Sequence, residues 1–197
     1  MKSTSNQVRI IAGRWRGSRL VFPDAEGLRP TSDRIRETLF NWVAGLIPGA
    51  RCLDMFAGSG ALGFEAASRG AEKVVLLEHN PLIVAALQNS RDRIDDGVIE
   101  IHATDAKTWV RRCDDSFDLV FLDPPFSDYG LLADSVSALV KSRCVKPGGR
   151  IYFELSRQVS LPDLPEDWVQ EKAKIAGQVG YYLFRRSGNL ASASDSD

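Results

Sequence analysis

From Arg51 onward the chain alternates between short apolar runs and longer segments of helical periodicity, and this restricts the fold more than any other feature. Cys52-Leu53-Asp54-Met55-Phe56 reads as a strand, a glycine-rich turn follows, and residues 61–69 read as a helix. Strands at 74–78, 98–101, 117–122 and 151–155 alternate with helices at 81–93, just after Asp105, and at 130–144. Pro81 suits a first helical position, where a missing N–H is no loss. Pro147-Gly148-Gly149 reads as a turn, and two late strands are expected near 168–172 and 180–184. Apolar, β-branched strands separated by helices predict an α/β architecture: a mostly parallel sheet with helices on both faces. Ligands of such open sheets sit beyond the carboxyl ends of the strands. The chemistry should therefore lie at 54–60, 78–80, Asp105 and 123–126.

The segment before Arg51 is built differently. Val8-Arg9-Ile10-Ile11 and Arg19-Leu20-Val21-Phe22 are β-prone, and Gly13 and Gly17 bracket a turn between them, which predicts a β-hairpin. A helix should follow, with Ile35, Leu39, Trp42, Val43 and Leu46 on one face. Thr31 or Ser32 is its expected N-cap and Pro48-Gly49 its end. The bland reading of Arg36-Glu37 is an exposed charged pair on that helix. The division expected is a basic hairpin arm at 1–30, a main domain at 31–187 and a small, polar, disordered tail at 188–197.

Charge is uneven along the chain. It carries 25 basic and 26 acidic residues, net -1, yet residues 1–36 hold eight basic and three acidic ones. That segment is +5 and the remainder is -6. Arg9, Arg14, Arg16 and Arg19 on the hairpin, with Trp15 at its tip, combine cations with a stacking ring. Such surfaces hold RNA phosphates and unpaired bases; the bland reading is a solvated basic face. The three cysteines, Cys52, Cys113 and Cys144, are widely spaced and form no C-x-x-C, which speaks against a disulfide framework or a zinc site. No metal is expected, and the pattern suits a reducing cytoplasm. No apolar run approaches the roughly 18 residues of a membrane span. The first twenty residues lack acids, as transit peptides do, but the hairpin pattern fits them better than an amphipathic presequence.

Gly58-Ser59-Gly60-Ala61-Leu62-Gly63 satisfies G-x-G-x-x-G between a strand and a helix, and Glu78 follows 20 residues after Gly58. On spacing alone this is a dinucleotide fingerprint. Asp54, just before the loop, favours a different adenosine cofactor. A carboxylate there repels a pyrophosphate but attracts an ammonium group. S-adenosyl-L-methionine has an ammonium group and a ribose, and no phosphate. The glycines permit positive φ and close backbone approach. On this reading Asp54 and the Gly58-Ser59-Gly60 turn bind the cofactor, with Phe56 in the same loop. Glu78, with His79 beside it, meets the ribose hydroxyls, and Asp105-Ala106 flank the adenine. Asp105 also suits a helix N-cap.

Asp123-Pro124-Pro125-Phe126 ends the strand at 117–122. Two prolines make a rigid extended turn and remove two backbone donors. The exocyclic amine of a nucleobase is a poor nucleophile because its lone pair is delocalised into the ring. Methylating it requires the nitrogen in line with the methyl group and acceptors for the amine hydrogens. The Asp123 carboxylate and the Pro124 carbonyl are two such acceptors, and Phe126 can stack on a base extruded from its helix. The bland reading is a strand terminator.

Asp-x-Phe-x-Gly-x-Gly followed by Asp-Pro-Pro-Phe resembles the class I amino-methyltransferases. The N-terminal sequence narrows the resemblance. Arg9-Ile10-Ile11-Ala12-Gly13-Arg14-Trp15-Arg16-Gly17, then Leu28-Arg29-Pro30-Thr31-Ser32-Asp33-Arg34-Ile35-Arg36-Glu37-Thr38-Leu39-Phe40-Asn41, resembles the RsmD family over residues 8–186. The resemblance implies a Rossmann-like class I methyltransferase fold with a seven-stranded sheet plus the N-terminal hairpin. It implies methyl transfer from S-adenosyl-L-methionine to N2 of a guanine in bacterial 16S ribosomal RNA, which the assembled small ribosomal subunit can present. It also implies that Arg29, Pro30 and Thr31 close over the cofactor. Three other readings are weighed against it: an N6-adenine methyltransferase acting on DNA or RNA, a nicotinamide oxidoreductase, and a non-catalytic RNA-binding module.

Overall fold

The computed structural model describes residues 6–25, 28, 30–94, 97–125 and 129–188. Arg29 and Phe126 lie outside the described residues, as do residues 189–197 of the expected tail.

The chain begins with two antiparallel strands, β1 (Asn6–Arg9) and β2 (Arg19–Phe22), with Val8 opposite Leu20. Pairing persists to Ile10, which bonds to Ser18 and Gly17. Ile11 and Ala12 then leave the ladder because their N–H groups are drawn to the Glu65 carboxylate, at 2.7 and 3.0 Å. Helix α1 (Asp33–Trp42) starts at Ser32, whose hydroxyl accepts from the Ile35 N–H. Of the two cap residues expected, Ser32 is the one used, and Thr31 turns elsewhere. The helix stops short of Leu46, and residues 43–49 continue as turns around Gly45 and Pro48-Gly49.

The alternating region then gives β3 (Arg51–Asp54), α2 (Ala61–Ser68), β4 (Lys73–Glu78), α3 (Pro81–Ile94), β5 (Ile99–Ala103), α4 (Ala106–Val110), β6 (Phe117–Leu122), α5 (Tyr129–Ser142), β7 (Val145–Ser156), β8 (Trp168–Ala176) and β9 (Val179–Arg186). Seven strands form one sheet in the order β5-β4-β3-β6-β7-β9-β8. The first five in that order are parallel, whereas β9 runs antiparallel to both its neighbours. The expected turn at Pro147-Gly148-Gly149 is instead part of β7, where the register with β6 shifts between Phe117 and Leu119. Gly149 sits there because any Cβ would stand 2.9 Å from the Lys146 carbonyl and 3.1 Å from that of Phe117. Two steps along β6 here face five along β7, so the irregularity adds residues to one strand without ending it.

Side chains of the central strands alternate between two cores. Cys52, Leu119, Phe121 and Tyr152 point towards α1, α2, α3 and the hairpin. Leu53, Val120, Leu122 and Phe153 point towards α4 and α5. Helices therefore cover both faces, as the run of apolar strands requires.

The hairpin is anchored on α2. Glu65 is fully buried and accepts from Ile11, Ala12 and Arg69 Nε, with Arg36 at 3.5 Å. Arg36 is itself fully buried and donates to the Arg9 carbonyl and to Asp33. The expectation of an exposed Arg36-Glu37 pair is thus corrected for Arg36: its helix face turns inward, under the arm. Gly13 lies so close to Ser68 that a Cβ would overlap the Ser68 carbonyl oxygen. Among the described residues no helix is long and apolar enough to cross a membrane, and no cluster of acids, histidines and cysteines is arranged to hold a metal.

Candidate active site

The carboxyl ends of β3, β4 and β6 bring Asp54, Glu78 and Asp123 to one edge of the sheet. Asp54 ends β3 and is 1% exposed. It accepts from its own loop, the Phe56 N–H lying 3.3 Å from Oδ1. Burial raises the carboxyl to about 7, the backbone hydrogen bonds from Phe56 and Gly63 oppose that rise, and the charge of Glu78 adds to it. The loop turns over this acid on two left-handed glycines, Gly58 at φ 49° and Gly60 at φ 79°. Gly60 begins α2, and Ser59 is buried with its hydroxyl towards the Ala61 N–H. Phe56 is half-buried beside them.

Glu78 ends β4. Its Oε2 accepts from the Gly58 N–H at 3.1 Å and its Oε1 from the N–H groups of His79 and Asn80 at 2.9 and 2.8 Å. Three backbone donors thus fix a carboxylate whose remaining acceptor capacity faces the loop. The His79 ring is exposed. Asp105 takes the capping role open to it: Oδ1 accepts from the amide and hydroxyl of Thr108, both at 2.8 Å, and α4 starts at the buried Ala106. Burial works to raise the Asp105 carboxyl, but the two Thr108 hydrogen bonds together with the nearby Lys107 and His79 charges hold it below the usual range.

Asp123 follows β6, with Pro124 buried and Pro125 exposed. The Thr31 hydroxyl, 92 residues away in sequence, donates to Asp123 Oδ2 at 3.2 Å. Thr31 is buried and Pro30 half-buried, and the Thr31 bond ties this segment to the Asp123-Pro124-Pro125 turn. Burial, then the charges of Glu154 and Asp54, push the Asp123 carboxyl well above the ordinary carboxylate range, while the Thr31 hydrogen bond pulls the other way.

Sequence reasoning missed two groups here, Tyr152 and Glu154 on β7. Both are buried, and the Tyr152 hydroxyl donates to Glu154 Oε2 at 2.8 Å. The available signal was a lone acid in the apolar run Ile151-Tyr152-Phe153-Glu154-Leu155, since a buried charge is retained against a large desolvation cost.

The chain's own residues fit an adenosine ligand bearing positive charge. Asp54 is buried at the loop and raised in the bare chain, and a cation beside it would relieve that rise. A pyrophosphate at the loop would meet the buried Asp54 carboxylate. The cationic turn of the hairpin stands apart from this edge. Arg14 and Trp15 donate their backbone N–H groups to Ser68, the last residue of α2, and Arg93 near the end of α3 reaches the Arg19 carbonyl. Both helices start at the carboxyl edge, so their last turns lie at the far end of the sheet. The eight residues of α2 set that separation at about 12 Å. The Arg14 guanidinium lies over the Trp15 ring at 4.4 Å. The Arg9 guanidinium lies 3.9 Å from the Asp33 carboxylate.

Comparison with known proteins agrees with this arrangement. A family described as conserved hypothetical protein 95 matches residues 8–185. The chain is 40% identical over 193 residues to ribosomal RNA small subunit methyltransferase D of Escherichia coli (strain K12), covering 98% of this chain and 97% of that one. It is also 40% identical over 187 residues to the protein of that name from Haemophilus influenzae, covering 93% and 96%. The solved structure of yhhF from Escherichia coli superposes with a TM-score of 0.84 at 38% identity, covering 93% of this chain and 100% of that one. Agreement of this extent, from the hairpin through the last strand, places the chain in the RsmD family.

Proposed function

We propose that this chain transfers a methyl group from S-adenosyl-L-methionine to the exocyclic N2 of a guanine in 16S ribosomal RNA. The observation that carries the reading is the meeting of two sites at one sheet edge: the Asp54/Glu78 loop and the Asp123-Pro124 turn under Thr31. The RNA is supported by the relatives' name, ribosomal RNA small subunit methyltransferase D. Such an RNA is a cytoplasmic partner, met free or within the small subunit.

Bound at the loop, S-adenosyl-L-methionine supplies an electrophilic methyl group. Asp54 faces its ammonium group, Glu78 accepts from its ribose hydroxyls, and Ala106, with the backbone next to Asp105, borders its adenine. Arg29, Pro30 and Thr31 close over it. Asp123 and the Pro124 carbonyl accept the amine hydrogens, which orients the nitrogen lone pair. This needs no reorganisation during reaction, because Thr31 and the proline turn already fix Asp123. Phe126 stacks on the base. Arg14, Trp15 and Arg16, about one helix length away, hold RNA beyond the target nucleotide, with Arg9 and Arg19 along the same arm.

The test is incubation with 16S RNA and small subunits from cells lacking this protein, followed by mass mapping of the methylated nucleoside. N2-methylguanosine is expected; N6-methyladenosine would replace the reading by its runner-up. Asp123→Ala should abolish transfer and leave cofactor binding intact. Neutralising Arg14 and Arg16 should lower the slope of log affinity against log salt by about 2; an unchanged slope removes the arm from the RNA site.

A further inference from the structure

The buried pair on β7 has no part in the roles assigned so far. Phe121 of β6 lies opposite Tyr152 of β7, and Leu122 opposite Phe153. Continuing that register by one residue sets Asp123 beside Glu154, at a strand spacing of about 4.8 Å. Asp54 of β3 lies opposite Phe121 on the other side. Alternation turns Asp54, Asp123 and Glu154 to the same face of three adjacent strands. Glu154 is 4% exposed and Tyr152 fully buried. Burying a carboxylate carries a large desolvation cost, and the Tyr152 hydroxyl is one of the groups that offset it here. Such a group is better explained by what it does to its neighbour.

We propose that Glu154, anchored by the Tyr152 hydroxyl, is a positioning residue for methyl transfer: it holds the Asp123 carboxylate as acceptor of the proton that the amine releases. This deepens the function proposed above and rests on it. In the transfer the amine lone pair forms the N–C bond to the methyl carbon. The C–S bond breaks with its electron pair going to sulfur, which becomes a neutral thioether. The alkylated nitrogen, now cationic, gives one proton to Asp123, from which it passes to solvent. A second negative group beside Asp123 strengthens it as a base. Among the described residues, Asp54 from β3, Tyr152 from β7, Tyr181 opposite Glu154 on β9 and Thr31 ahead of α1 lie around this pair. Of these, Asp54 adds like charge, and the Thr31 and Tyr152 hydroxyls are donors.

The experiment compares wild type, Glu154→Gln, Tyr152→Phe and Asp123→Asn for kcat, RNA KM and the pH dependence of kcat, with cofactor affinity measured alongside. Glu154→Gln should lower kcat about tenfold to a hundredfold at unchanged KM, and move the acid limb of the profile to lower pH. Tyr152→Phe should move that limb in the same direction by less, because Glu154 without its donor takes up a proton more readily. It also stands in if Glu154→Gln does not fold. If Asp123→Asn is inactive while the folded position-154 and position-152 variants keep the wild-type profile, the inference fails alone. If wild type methylates no RNA, or Asp123→Asn is fully active, the underlying reading fails instead.

Discussion

Replacing Asp54 by Asn should make the unliganded protein more stable at alkaline pH and a poorer binder of its cofactor. Burial holds the Asp54 carboxyl at about 7, against 3.8 for a free side chain. Between those values the folded chain binds a proton that the unfolded chain has lost. Stability therefore falls as pH rises through that window. At 1.36 kcal/mol per unit, the ionised carboxylate costs about 4 kcal/mol at pH 8, of which roughly 3 kcal/mol appears between pH 5 and pH 8. Asn keeps an oxygen for the Phe56 N–H and removes the charge. For a chain of this size the difference amounts to roughly 6–12 °C in melting temperature. The assay is thermal unfolding of both proteins at several pH values between 5 and 8, without ligand. The gap should widen with pH in favour of the Asn variant. S-adenosylhomocysteine, which keeps the ammonium group, should bind the variant about tenfold to a hundredfold more weakly at pH 8, the loss of one charge-assisted contact. Parallel unfolding curves would refute the assignment of a strained buried charge, and unchanged affinity would refute its role opposite the ammonium group.

Three further substitutions probe the loop and the arm. Gly58→Ala puts a methyl 2.8 Å from Leu28 Cδ1 at φ 49°, so calorimetry should show cofactor affinity reduced at least about tenfold, with only about 1–2 kcal/mol lost from the fold. Glu65→Gln removes one of the two acids beside the buried Arg36, Asp33 remaining at 2.6 Å, and should cost about 1.5–3 kcal/mol in denaturant unfolding. Gly13→Ala, at φ 82° and against the Ser68 carbonyl, should displace the hairpin turn; RNA affinity should fall while S-adenosylhomocysteine binding stays near wild type.

Much of the site could be read before any fold was known because its parts are local. Asp54, Gly58, Gly60, Glu78 and Asp123 each follow an apolar run, and a parallel sheet gathers all such positions at one edge. Asp105 shows the limit of that logic. Its place at the edge was legible, but its side chain is occupied in capping α4, which a single residue type could not decide.

The sequence by itself determined the alternation of strands and helices, hence a sheet covered on both faces, the edge where chemistry gathers, and a hairpin ahead of it. Those features follow from periodicity and turn residues, which act over a few positions. Tertiary structure alone decided that Thr31 bonds Asp123, that Tyr152 and Glu154 stand behind it, that Arg36 is buried under the arm by Glu65, and that Arg14 and Trp15 sit at the far end of α2. Each of these depends on which strands lie side by side and in what register, and that is set by packing between segments far apart in the chain.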